Sequence, residues 1–179
     1  MSFITSLRAA ALVSLTLACA ALPIATGVAS ADASHRAADR LIIRGQDTVA
    51  DAPCQGPVCH HDLVDGSFRG TLGTGAYTGG IDLSVAHAFD NGEGGLCAPL
   101  RGRLVLGTDT PNRLTIAFAG DSCQDGNGPV TSASFNGVAR FQIVGGTGAY
   151  EHATGRGLLS STEDAADHEQ LTLIGHIQR

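Results

Sequence analysis

The chain contains no lysine and no tryptophan, has a single methionine, and carries aromatic residues at only 4% of its 179 positions. The missing lysine excludes a P-loop, in which a lysine after the last glycine reaches the phosphates. No Gly-x-Ser-x-Gly elbow occurs, so the nucleophile turn of the α/β-hydrolases is excluded too. N-glycosylation sequons are also absent. Positive charge is scarce: the formal net charge is −6, which makes nucleic acid and anionic membrane surfaces poor partners. Glycine is the exception, with 24 residues, well above the usual share of about 7%. So much glycine beside so little methionine points to a turn-rich β-protein without long helices.

From Leu63 onward the hydrophobic period is two, the mark of half-buried antiparallel strands. Phe68, Gly70 and Leu72 fall on one face. Ile81, Leu83, Val85, His87 and Phe89 share another, and Leu100, Gly102, Leu104 and Leu106 oppose Arg101 and Arg103. Leu114, Ile116 and Phe118 oppose Arg113 and Thr115. Asn136-Gly137 is a strong hairpin signal. A turn there, however, would put Phe135 and Val138 on one face with Arg140 and Gln142, whereas reading straight through keeps Phe135, Ala139, Phe141 and Ile143 together. A continuous strand is therefore expected, with Gly137 at a bend. Strands over about 154–161 and 170–178 follow, joined by an exposed acidic loop from Glu163 to Glu169. A less certain strand near Leu41 completes eight, enough to close a barrel and remove the exposed edges of an open sheet.

One stretch, Phe141 to Gly157, ends a strand in glycines: Val144-Gly145-Gly146-Thr147-Gly148-Ala149-Tyr150, then Ala153-Thr154-Gly155. Glycines at a strand end permit positive φ and close backbone approach, so a structural corner is expected. The spacing does not fit a dinucleotide fingerprint, whose sixth position here is Glu151. An abbreviated copy, Gly73 to Gly80, places Tyr77 where the longer stretch has Tyr150. A strand running into Gly-Gly-Thr-Gly-x-Tyr and then Ala-x-Gly resembles the allene oxide cyclase and dirigent barrel superfamily. That resemblance implies an all-β fold, an eight-stranded antiparallel barrel with an apolar central cavity, trimeric in the plant members. The plant cyclases' catalytic carboxylate has no matching position here, so the likeness carries fold and leaves activity open.

Residues 1–31 read as a secretory signal. Arg8 supplies the basic start, Ala9 to Leu22 the apolar run, and Ala29-Ser30-Ala31 the small-x-small cleavage site, with Ala33 a second choice. Lipid anchoring at Cys19 is a lesser alternative. Removal of the signal leaves Cys54, Cys59, Cys97 and Cys123, an even number suited to an oxidising compartment. Three pairings are possible, of which Cys54–Cys59 with Cys97–Cys123 is preferred. Residues 32–62 are expected as an N-terminal extension, with an edge strand or mobile arm near Leu41 to Val49, and 63–179 as the barrel domain.

Few residues suggest chemistry. His60-His61-Asp62 draws attention, but adjacent histidines on an extended chain point apart, so no metal is expected there. Asp121 to Gly128 resembles a calcium loop yet has Cys123 at the third ligand position and Ser132 at the twelfth. His87, on an apolar face, is the one catalytic candidate, and Phe68, Leu83, His87, Phe118 and Phe141 are expected to line the cavity. His176 and Arg140 are expected to point outward, and His35, His152 and His168 to be exposed. The expectation is a secreted, disulfide-stabilised barrel without cofactor. It would bind a small apolar molecule or serve as an interaction module, and it would contact neither nucleic acid nor, once the signal is removed, a membrane. The alternative is a cofactor-independent cyclase or isomerase acting in the cavity, and a homo-oligomer is implied only by the family likeness.

Overall fold

The computed structural model describes residues 38–52, 60–126 and 133–179. Its strands are β1 (Asp39–Ala52), β2 (His60–Gly70), β3 (Gly73–Leu83), β4 (Phe89–Asp90), β5 (Leu96–Leu106), β6 (Leu114–Gln124), β7 (Phe135–Gly146), β8 (Thr154–Glu163) and β9 (His168–Gln178). Each long strand pairs antiparallel with the next in sequence, β1 pairs with β9, and β3 pairs with β5. Eight long strands thus close into an up-and-down barrel, and the two-residue β4 is a spur on the edge of β5.

Period-two patterning builds the wall. Leu41 and Ile43 of β1, Val64 and Phe68 of β2, Leu104 and Leu106 of β5 and Leu171 and Leu173 of β9 all point inward and are buried. Asn136-Gly137 lies within the unbroken β7, as the apolar phase requires. The abundance of glycine has a packing reason: the few aromatic rings lie across glycines of neighbouring strands. A Cβ on Gly157 would sit 2.6 Å from the Phe141 ring and one on Gly175 2.9 Å from it. On Gly102 it would meet the Phe118 ring at 2.4 Å, and on Gly45 the Tyr77 hydroxyl at 2.7 Å. Aromatic rings over side-chain-free wall fill a barrel of this strand number.

The Gly145-Gly146-Thr147-Gly148 stretch forms the expected corner. Gly148 has φ +58 and leads into a 3-10 turn over Gly148–Tyr150. The Thr147 hydroxyl donates to the Pro111 carbonyl (2.6 Å) and accepts from the Arg113 amide (3.1 Å), while the Ala149 amide donates to Asn112 Oδ1 (2.9 Å). The corner therefore clips the β5–β6 connection to the end of β7. Cys97 and Cys123 stand directly opposite each other on β5 and β6 and form the disulfide expected of them. The Cys54–Cys59 pair, Cys19 and the signal segment lie outside the described residues.

Three expectations are corrected. β1 is neither an edge strand nor an arm: it pairs along its length with both β2 and β9, so the barrel includes residues from Asp39 onward and does not start at residue 63. The Gly73–Gly80 copy lies within strand β3, where Tyr77 is wholly buried. The strand expected over residues 81–89 stops at Leu83, where Ser84 opens a 3-10 turn over Val85–His87. Glu163 and Glu169 belong to β8 and β9, not to an exposed loop, and Glu169 is buried.

Candidate functional site

The inward phase that places leucines in the middle of the barrel continues toward one end, and there the residues are acidic. Asp47 on β1 is the register partner of Glu169 on β9, which in turn partners Glu163 on β8. Three carboxyl groups therefore lie side by side on one inner face. Like charges placed directly opposite in a sheet repel. Every described arginine is exposed, and none is buried with them. Tyr77 reaches this row across Gly66, its register partner, which is also the partner of Asp47. The Tyr77 hydroxyl donates a hydrogen bond to Asp47 Oδ2, and Asp47 Oδ1 has no hydrogen-bond partner.

Burial decides the protonation of the row. Desolvation raises Glu169 to about 8; the charge of Asp47 adds to this, and a hydrogen bond from Ser161 works against it. Glu163 rises to about 7, again through desolvation first and the charge of Asp62 second. Asp47 is raised by desolvation, offset by its hydrogen bonds with Tyr77 and Glu169, and the Tyr77 phenol is held well above its ordinary value. Glu163 and Glu169 are thereby poised to hold or release a proton near neutral pH, and buried acids of this kind are suited to donate or relay one. Beside Glu169 and Ser161, the interior leaves a cavity of about 20 Å³ among Ile81, Leu100, Leu104, Phe118 and Leu171. That is room for roughly one water.

Nearer the rim, Asp62 of β2 is buried and faces exposed Asp51 of β1 as its register partner. His60 stands between them, its Nε2 2.8 Å from Asp62 Oδ1 and 3.1 Å from Asp51 Oδ1. His61 points the other way, to Asp82 at 2.7 Å, as adjacent residues of a strand must. At the far end of the barrel, Phe68, Leu72, Leu106, Leu114 and Tyr150 line a shallow depression of about 160 Å³.

The residues singled out from sequence fare unevenly. Phe68, Phe118 and Phe141 are inside and belong to the packed core, and Phe68 also lines the depression at the far end; Leu83 is half-buried near an end. His87 is corrected outright: it is exposed on the turn after β3, bonded to Ser84 Oγ at 2.7 Å, and touches no part of the interior. Tyr77, Asp47, Asp62, Glu163 and Glu169 were the residues to find. Their signal was phase, since Asp47 continues the odd positions of Leu41 and Ile43, and Glu169 those of Leu171 and Leu173.

The outer wall carries a second pattern. Two neighbouring rows cross strands β1, β9, β8, β7, β6 and β5 in register: Arg40, His176, Arg156, Gln142, Ala117, Arg103, and Ile42, Ile174, Leu158, Arg140, Ala119, Arg101. Neither row contains a carboxylate, and Val138 beside them, Leu158 and Ile174 are 62%, 57% and 51% exposed. His176 and Arg140 point outward, as expected. Against known proteins, the chain matches no family model and no curated sequence.

Proposed function

We propose that the chain is an exported interaction module: a disulfide-pinned barrel that works through its outer wall and not through a ligand held inside. The observation that carries this reading is the packing of the described interior, where the side chains of Phe68, Phe118, Phe141 and Tyr77 are buried among the leucines of the wall. The two rows have the composition of a protein-binding surface, with arginine and aliphatic residues and no carboxylate, and are bordered by Asp82 beside Arg101 and Asp121 beside Val138. They lack the aromatic residues that mark a membrane-facing surface. The occupant that fits them is a second copy of the chain. Exposed Asp51, Asp164 and Asp167, with half-buried Glu163, crowd one end of the barrel, complementary in charge to the arginine rows of a neighbour. Such a head-to-tail contact closes into a ring when its rotation permits.

Sedimentation velocity at rising protein concentration tests this. Association is expected in low salt, weaker in 0.5 M salt and absent in Leu158→Asp with its circular dichroism unchanged. A wild-type chain that stays monomeric in low salt up to high micromolar concentration refutes the self-contact.

One observation favours a second reading, a cofactor-independent cyclase or isomerase as the family likeness implies. Glu169, raised to about 8, lines a small interior cavity, where a protonated acid is placed to polarise a substrate. That reading requires the barrel to open, because the cavity does not admit an organic substrate. A small molecule carried through purification and lost in Glu169→Gln supports it.

A further inference from the structure

We propose that Asp51, His60 and Asp62 form a binding site for one divalent metal cation of the zinc type, on the inner side of the barrel rim. The site comes from strand pairing and not from the adjacent histidines. His60 and Asp62 are two apart on β2 and so share its inward face, and Asp51 lies directly across on β1. Donor atoms from three residues converge: His60 Nε2 lies 2.8 Å from Asp62 Oδ1 and 3.1 Å from Asp51 Oδ1. Around a small divalent ion with ligand bonds of about 2.0–2.2 Å, neighbouring donor atoms are separated by about 3.0–3.5 Å.

Two further observations point to a cation. Asp62 is only 5% exposed, and the one group close to its buried Oδ1 is the His60 imidazole nitrogen, 2.8 Å away but not aligned to donate to it. Buried carboxylate oxygens are ordinarily partnered, so an unsatisfied one aimed at a second donor atom calls for a missing partner. Asp51 and Asp62 are also like charges directly opposite on one sheet face, an arrangement that repels unless something positive lies between them. Among the described residues His60 lies between them, and it offsets that repulsion only when protonated. One imidazole nitrogen with two carboxylate oxygens suits zinc and its neighbours, leaving a position for water, whereas calcium takes six to eight oxygen ligands.

The test is calorimetric titration of zinc chloride into the untagged, EDTA-treated and dialysed protein at pH 7.5. One equivalent is expected to bind, with affinity about ten-fold or more weaker in His60→Gln and in Asp51→Asn. His61→Ala, which alters the outward-facing neighbour, is expected to bind as the wild type does. The Asp51 side chain is 85% exposed, so Asp51→Asn reports on the site without threatening the fold. Nitrogen-15 imidazole spectra should show zinc perturbing Nε2 of His60 specifically. Absence of saturable binding, unchanged binding in both site variants, or equal loss in His61→Ala overturns the proposal. Calcium binding as tightly as zinc overturns the assignment of metal class.

Discussion

Replacing Glu169 with glutamine should make the protein more stable at neutral and alkaline pH. In the unfolded chain this carboxyl titrates near 4.5; in the barrel, burial and the neighbouring Asp47 raise it to about 8. The folded state therefore holds a proton that the unfolded state has released, and stability must fall as pH rises from about 4.5 to about 8. Below that window both states are protonated and nothing is lost; above it both are ionised and the loss is complete. At about 1.4 kcal/mol for each tenfold difference in proton affinity, the ceiling is on the order of 5 kcal/mol. Relaxation and water entry around a buried charge reduce this, so a gain of about 2–4 kcal/mol for Glu169→Gln at pH 8 is the working figure. Glutamine is neutral, nearly isosteric, and keeps a donor for Asp47 and an acceptor for Ser161. Urea unfolding followed by circular dichroism from pH 4 to 9 reads the effect as a shift in midpoint. The wild-type midpoint should decline across the window while that of the variant stays flatter, with the two nearly equal at pH 4. A variant less stable than wild type at pH 8, or two parallel profiles, refutes the argument that this carboxyl is protonated in the fold.

Further expectations concern the frame of the barrel. A Cβ at Gly146 would lie 2.4 Å from the Tyr150 carbonyl and 2.6 Å from that of Arg113, so Gly146→Val should cost about 1–3 kcal/mol in thermal or urea unfolding. Soluble Gly146→Val protein of wild-type stability would count against the corner. Tyr77→Phe removes the donor to Asp47 Oδ2 and should cost about 1–3 kcal/mol; because that bond holds the buried Asp47 carboxyl down, its loss should raise the carboxyl further and make stability fall more steeply with rising pH, the check that Asp47 is the group affected. Opening Cys97–Cys123, whose sequence separation is 26, should lower stability by up to about 3 kcal/mol. Unfolding of the Cys97→Ala/Cys123→Ala pair measures it, and no change would mean that the β5–β6 ladder alone holds these strands.

Period-two reading found the wall because inward leucines alternate with outward polar residues over most of β5, β6, β7 and β9. It also placed the disulfide, since Cys97 and Cys123 flank a hairpin, and the corner, since clustered glycines at a strand end have few other uses. The acidic row escaped because acidity was read as exposure. Glu169 sits next to the β8–β9 loop, and only its phase with Leu171 and Leu173 separates it from Asp164 and Asp167. His87 failed for the opposite reason: alternation was extended past Leu83 into a segment where Ser84 and the 3-10 turn interrupt the pleat. The first strand was undervalued because its partners are both distant in sequence, β9 most of all. Likewise, no local pattern joins Asp51 to His60 and Asp62; only strand pairing does.

Native mass spectrometry of the protein recovered from culture medium tests the central claim most directly. An oxidised chain free of any organic ligand, appearing as an oligomer at low ionic strength, is the expected result. A monomer that retains a small organic molecule would contradict it, since that outcome requires an interior able to open around a ligand and a wall without a partner.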